Sequence, residues 1–158
     1  YPKTGTGGNI WNKEDTVNHT RVGRVTGEPE PTATHYRPIC PVFDSEGHNI
    51  YWNDKNTELT IHYIALESFT NPRGTVEGGM ICAMLDDVMG LFAYLANDHK
   101  PATTINLTMD FLRPCAVGEV ITKCRFIKQG KTVLNLESEA WQNNKMIARS
   151  TANFLVLD

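Results

Sequence analysis

Paired cysteines are missing from this sequence. The four present (Cys40, Cys82, Cys115 and Cys124) stand far apart and form no C-x-x-C motif. That excludes a disulfide framework and a cysteine-held zinc, and it reads as the reduced thiols of an intracellular, cytoplasmic protein. A dominant charge is missing too. Fifteen Lys and Arg stand against eighteen Asp and Glu, so no global attraction to nucleic acid follows. The five histidines show no H-x-x-x-H spacing, and no metal is expected. There is no G-x-S-x-G elbow, which argues against an α/β-hydrolase. Gly130-Lys131 lacks the glycine that a phosphate loop places five residues earlier, where Arg125 stands. Gly5-Thr6-Gly7-Gly8 fails the dinucleotide fingerprint because residue 10 is Ile. No internal repeat or low-complexity tract occurs.

What is present suits one globular domain. The chain has 158 residues, 41% of them hydrophobic, enough for a core without staples. Residues 1–35 are polar, rich in Gly, Thr, Asn and Pro, and without periodicity. They read as an irregular arm preceding a domain of residues 36–158. Ile39–Phe43 reads as a short strand, with a turn at Ser45-Glu46-Gly47-His48. From Leu59 to Leu66 both alternating faces are largely apolar, the pattern of a buried strand. Asn71-Pro72-Arg73-Gly74 breaks it.

Residues 77–96 then form an almost unbroken Ala-, Leu- and Met-rich stretch, which favours helix. Its length would suit a membrane span. Asp86 and Asp87 in its middle argue against that and for a central helix buried on nearly all sides. Four strands follow. In 104–111, Ile105, Leu107, Met109 and Phe111 alternate with Thr104, Asn106, Thr108 and Asp110, predicting one buried face. Strands over 119–128, 132–141 and 146–157 are separated by turns at Gln129-Gly130 and Asn143-Asn144. Short turns make antiparallel neighbours, and five strands against one helix must curl around it.

The segment from Asn71 to Gly79 offers chemistry. Two glycines at a helix start leave backbone N–H groups free to hold an oxyanion. Asp86 is a carboxylate inside an apolar helix, costly unless satisfied. The plainer reading is a capping Gly-Gly turn and a solvated Asp pair, and the residues alone leave the two readings level.

The run N-x-x-G-x-x-E-G-G-x(6)-D-x-x-x-G (residues 71–90), then F-L-R-P-x-x-x-G-E (111–119), K-Q-G-K (128–131) and I-A-R-S-T-A-N-F (147–154), resembles the hotdog-fold acyl-CoA thioesterases of the PaaI and 4-hydroxybenzoyl-CoA thioesterase type. The resemblance covers about residues 57–158. It implies an α+β hotdog fold, a curved antiparallel sheet wrapped around one long helix. It implies a homodimer or homotetramer with active sites at a subunit interface, and no nucleic-acid or membrane partner. The implied reaction hydrolyses an acyl-CoA or acyl-carrier-protein thioester, with no cofactor beyond the coenzyme A of the substrate.

Carried over by position, the family's catalytic carboxylate falls on Asp86, as nucleophile or as base for water. The oxyanion-hole amide falls on Gly78, beside Gly79, and an orienting amide on Asn71. A water-holding hydroxyl falls on Thr104, supplied in a dimer by the other subunit. Basic residues that bind the coenzyme A phosphates fall on Arg113 and Lys131, within a stretch (100–131) carrying an excess of four positive charges. The family's H-G-G reads Glu77-Gly78-Gly79 here. Glu77 then points away, or is protonated as a donor, or changes the chemistry, and closeness to Asp86 would push one of the two pKa values up. Asp87, about 100° from Asp86 on the helix, reads as structural, paired with backbone or a basic group. Other readings are a biosynthetic hotdog enzyme (dehydratase, hydratase or cyclase-like) and a non-hydrolytic acyl-CoA binder. The missing His counts against the dehydratases, and the intact Asn71, Gly78, Asp86 and Thr104 set counts against the binder.

Overall fold

A computed structural model describes residues 23–26, 28–29, 49–53, 55 and 57–157. The expected strand Ile39–Phe43, the turn after it and most of the arm lie outside these residues. Strands β1 (Gly23–Thr26), β2 (Glu28–Pro29), β3 (Asn49–Trp52) and β4 (Glu58–Ala65) come first. Helix α1 (Gly78–Leu95) follows, then β5 (Ala102–Phe111), β6 (Gly118–Gln129), β7 (Val133–Gln142) and β8 (Lys145–Val156).

They form one sheet in the order β2-β1-β3-β4-β6-β7-β8-β5. Every neighbouring pair is antiparallel except β1 with β3. The sheet is wider than the five strands read from the sequence. Two of the added strands, β1 and β2, lie inside the segment expected to be irregular, and β3 follows the expected turn.

The helix matches the apolar run. Met84, Leu85, Val88, Met89, Leu91 and Phe92 are fully buried against the inner face of the sheet. Phe92 lies 4.7 Å from the Phe126 ring of β6 and 5.7 Å from Trp52 of β3, centroid to centroid. Composition alone would let α1 cross a bilayer, but half of it is enclosed in this way. On β4, Leu59, Ile61, Tyr63 and Ala65 all point into the core.

The turns hold the late strands in register. Gly130 donates to the Val133 carbonyl at 3.1 Å. A Cβ there would sit 2.4 Å from that oxygen, so only glycine closes the β6–β7 hairpin. Asn143 and Asn144 both adopt positive φ (51° and 58°), the two-residue hairpin conformation Asn tolerates.

Strand β5 departs from the expected pattern. Leu107 and Met109 pack on the core, but Ile105 is 53% and Phe111 55% exposed. Two causes act together. β5 is the last strand of the sheet, paired only with β8. A bulge between Thr104 and Asn106 also breaks the period of two, leaving Ile105 as the extra residue. Past the bulge the parity inverts. Thr104 pairs with buried Phe154 and turns toward the helix, while Asn106 stays on the outer face and accepts a hydrogen bond from Asn153 at 3.0 Å.

Candidate active site

The helix start is fixed by what precedes it. Asn71 closes a tight loop, its Oδ1 accepting the backbone N–H groups of Arg73 at 2.9 Å and Thr75 at 3.3 Å. Its Nδ2 donates to Thr75 Oγ1 at 3.0 Å, and Gly74 takes φ 77°. Asn71 is therefore committed to shaping this loop, with one amide proton left over. Val76 then donates to the Cys115 carbonyl, and Glu77 to that of Phe69, both at 2.8 Å.

Glu77 is the N-cap residue, and its side chain makes no capping bond. The N–H groups of Gly78 and Gly79 meet no acceptor among the described residues, as the first turn of any helix leaves them. The two glycines differ sterically. A Cβ on Gly78 would stand 3.2 Å from Phe111 Cζ, whereas one on Gly79 meets nothing within 4 Å.

Two turns on, Asp86 and Asp87 face different partners. Thr104 donates its hydroxyl to Asp86 Oδ1 at 2.8 Å. The sequence reading expected this hydroxyl from another subunit, but it reaches Asp86 within the same chain because the bulge turns Thr104 inward. Asp86 is half-buried and Thr104 exposed, so the pair opens at the β5 edge. Gly78, Cys82 and Asp86 follow each other at four-residue spacing and so share this helix face.

Asp87 takes a bond from Tyr63 Oη to its Oδ2 at 2.6 Å. Its partner is thus a buried phenol, neither backbone nor a basic group. Sequence reasoning missed Tyr63, although its inward position on β4 was the available signal. Burial above all, with a smaller push from the Asp86 charge and against the lowering pull of Tyr63, raises the Asp87 pKa from 3.8 to about 6.

The sign of the resulting pH dependence follows. Well below pH 3.8 the carboxyl is neutral folded and unfolded alike. As pH climbs toward 6, the unfolded chain ionises first and stability falls. Asn accepts the Tyr63 bond without ionising. Asp87→Asn is therefore expected to raise the melting temperature near neutral pH, by at most about 3 kcal/mol of stability. It should leave the melting temperature at about pH 3 nearly unchanged. Melting curves at both pH values check this, and an equal gain at both would contradict it.

Within one chain, the structure keeps three of these features apart. Glu77 is exposed and nine residues from Asp86, about 13 Å along the axis, so the two carboxylates of one chain do not press on each other. Gly78 and Asp86 of one chain are about 12 Å apart by the same rise, too far to grip one carbonyl. Arg113 and Lys131 are not brought together. Arg113 Nη1 bonds the Met146 carbonyl at 2.6 Å, near the helix start. Lys131 lies in the β6–β7 hairpin, whose Gln129 reaches Ala96 and Asn97 past the helix end.

A long helix wrapped by a curled antiparallel sheet, with free amides at its start and a hydroxyl-bound carboxylate in its middle, is the hotdog architecture of thioester chemistry. The sequence pattern of the thioesterase superfamily matches residues 73–148. The acyl-CoA thioester hydrolase YciA of Salmonella typhimurium is 31% identical over 91 residues, 56% of this chain and 68% of that protein. A phenylacetic acid degradation-related protein from Ralstonia eutropha JMP134 superposes with a TM-score of 0.69 and 35% identity, covering 75% of this chain and 92% of that one. The Escherichia coli PaaI protein shares the fold, with a TM-score of 0.58, 22% identity, and 64% and 73% of the two chains covered. The chain belongs to the thioesterase superfamily, and it is a thioester-hydrolysing enzyme.

Proposed function

We propose that this chain hydrolyses acyl-CoA thioesters, with Asp86 as the base that activates water. The observation that carries this reading is the 2.8 Å bond from Thr104 to Asp86 Oδ1. It occupies one carboxylate oxygen and leaves Oδ2 open. A water can donate one proton to Oδ2 and the other to the Thr104 oxygen, which leaves its lone pair for the carbonyl carbon. Asp86 takes the water proton as the C–O bond forms. The Gly78 N–H holds the oxyanion. The C–S bond then breaks, and the proton passes from Asp86 to the leaving thiolate. The reaction draws on no cofactor beyond the carrier thiol.

The separation of Gly78 from Asp86 supports a homodimer, or a tetramer built from one. Oxyanion donor and base must each lie within about 3 Å of the reacting group, which one chain cannot provide. β5 is a sheet edge with exposed Ile105 and Phe111, and such edges seek a partner. A two-fold axis beside β5 would set Gly78 of one chain facing Asp86 of the other. Sedimentation should give at least a dimer at micromolar concentration, and a stable monomer with full activity would end this part of the reading.

The primary test is thiol release from a panel of acyl-CoAs. Glu77→Ala is expected to keep turnover within a few-fold, and Glu77→His to preserve it, because Glu77 faces solvent and bonds nothing among the described residues. Loss of turnover in Glu77→Ala would make that carboxylate part of the chemistry.

A further inference from the structure

The open edge of β5 carries a side-chain donor and a side-chain acceptor left unused by the described residues. On the outer face of the sheet, amide side chains form a relay running toward this edge. Asn135 Nδ2 donates to Asn153 Oδ1 at 2.9 Å, and Asn153 Nδ2 donates to Asn106 Oδ1 at 3.0 Å. Asn106 is exposed, and its own Nδ2 meets no acceptor among the described residues. Four residues on, Asp110 Oδ2 accepts from Arg149 Nε at 2.9 Å, while its Oδ1 meets no donor among the described residues. Both side chains stand on the last strand of the sheet.

Two contacts fix how a second copy can pair here. Thr104 holds Asp86, and Phe111 lies against Gly78. For Gly78 of one chain to share a thioester with Asp86 of the other, Phe111 of the first must stand opposite Thr104 of the second. Opposite residues of an antiparallel pair share a face. The bulge gives Thr104 and Phe111 the same inner face, since they pair with buried Phe154 and Ala148. It also makes Thr104 the ladder neighbour of Asn106. Counting inward from that row puts Asn106 opposite Asp110, Leu107 opposite Met109, and Thr108 opposite its own copy. The backbone agrees. Leu112 spends its N–H on the Ile147 carbonyl at 2.8 Å, so by alternation the polar groups of 107, 109 and 111 face the open edge. Rows 107 and 109 then exchange hydrogen bonds, and Asn106 meets Asp110 in a close, non-hydrogen-bonded row. A shift of two residues either way would set Asn106 against Thr108 or Leu112, and the match is lost.

We propose that β5 pairs with β5 of a second copy in this register, clasped twice by a bond from Asn106 Nδ2 of one chain to Asp110 Oδ1 of the other. The inference rests on the two-chain site above and adds the residues that set its alignment. Each clasp joins the amide relay of one sheet to the Asp110–Arg149 pair of the next, a charge-assisted bond. A slip of two residues would carry the oxyanion donor about 7 Å past the base. Asn106 and Asp110 are therefore positioning residues, acting on the reaction from the outer face without touching substrate.

Thr108→Cys reads the register directly, because its side chain meets only its own copy. Non-hydrogen-bonded rows hold Cα atoms about 4.5 Å apart, within disulfide reach. With diamide as oxidant, Thr108→Cys should run as a covalent dimer on a non-reducing gel, well above the background of the unaltered protein and its native thiols. Asn106→Cys alone should not cross-link, whereas Asn106→Cys with Asp110→Cys should. Asn106→Asp sets two carboxylates face to face. It should raise the dimer Kd about 10-fold or more in sedimentation, with thiol release lost on dilution. Adding Asp110→Asn exchanges donor and acceptor and should recover most of both, which no simple folding defect would allow. A dimer that fails to cross-link through Thr108→Cys, or an Asn106→Asp defect that the exchange does not rescue, would overturn the proposal. If the protein cleaves no thioester yet cross-links through Thr108→Cys, the hydrolysis reading fails and the interface stands. A stable monomer ends both.

Discussion

Asp86→Asn is expected to lower thioester hydrolysis by about 10²-fold or more while the protein stays folded. Asn has nearly the same size and still accepts the Thr104 hydroxyl, so the helix keeps its local partner. It cannot take a proton from water, nor attack a carbonyl. Asp87→Asn serves as the control. It lies on another helix face, bound to Tyr63, and should hold turnover within a few-fold. Thiol release from the best acyl-CoA, with melting temperatures for both variants, settles the comparison. If Asp87→Asn is the inactive one, the reacting carboxylate is Asp87 rather than Asp86. A single turnover in ¹⁸O-water separates base from nucleophile, because only attack by the carboxylate itself would deliver unlabelled oxygen to the first product.

Gly78→Val is the second large effect. Even the first added carbon sits 3.2 Å from Phe111 Cζ. Phe111 is more than half exposed, so it can yield and the fold should survive. The displaced ring and the new methyl groups then crowd the amide that holds the oxyanion. Losing such a donor costs about 10²–10³ in kcat, and a loss approaching that range is expected here. Gly79→Ala, with open space around it, should leave the rate nearly unchanged. Co-expression gives the decisive readout. If Gly78 and Asp86 act across the two-fold, mixing the Asp86→Asn and Gly78→Val chains restores one intact site per heterodimer, roughly a quarter of normal activity in a random mixture. A site contained in one chain would gain nothing from mixing.

Much of the architecture was legible because it is periodic or punctuated. The apolar run at 77–96 became α1 at Gly78–Leu95, and Gly130 and the Asn143-Asn144 pair marked both late hairpins. The Asp86 to Thr104 pairing was legible only through family resemblance, since strict alternation would send Thr104 outward with Asn106 and Thr108. The bulge that corrects this is set by long-range pairing with β8, which no local pattern encodes. Tyr63 and Asp87 are 24 residues apart, and neither predicts the other. β1 and β2 were missed because segments so short and rich in Gly, Pro and Thr carry no period to read.

The β5 bulge lets a reacting group keep its face whatever stands between it and the rest of its strand, because the pairing with β8 sets that face. Ile105 is the surplus residue, and its exposed side chain touches neither Asp86 nor Thr104 through any polar bond. Many residue types could stand there without disturbing the hydroxyl. Losing the position altogether would seat Thr104 directly before Asn106, and plain alternation would then keep Thr104 inward opposite Phe154 with Asn106 outward opposite Asn153. Among descendants of this chain, drift at residue 105 is thus cheap in letters and in length alike. A single-codon deletion there would spare the hydroxyl, as most single-base changes would.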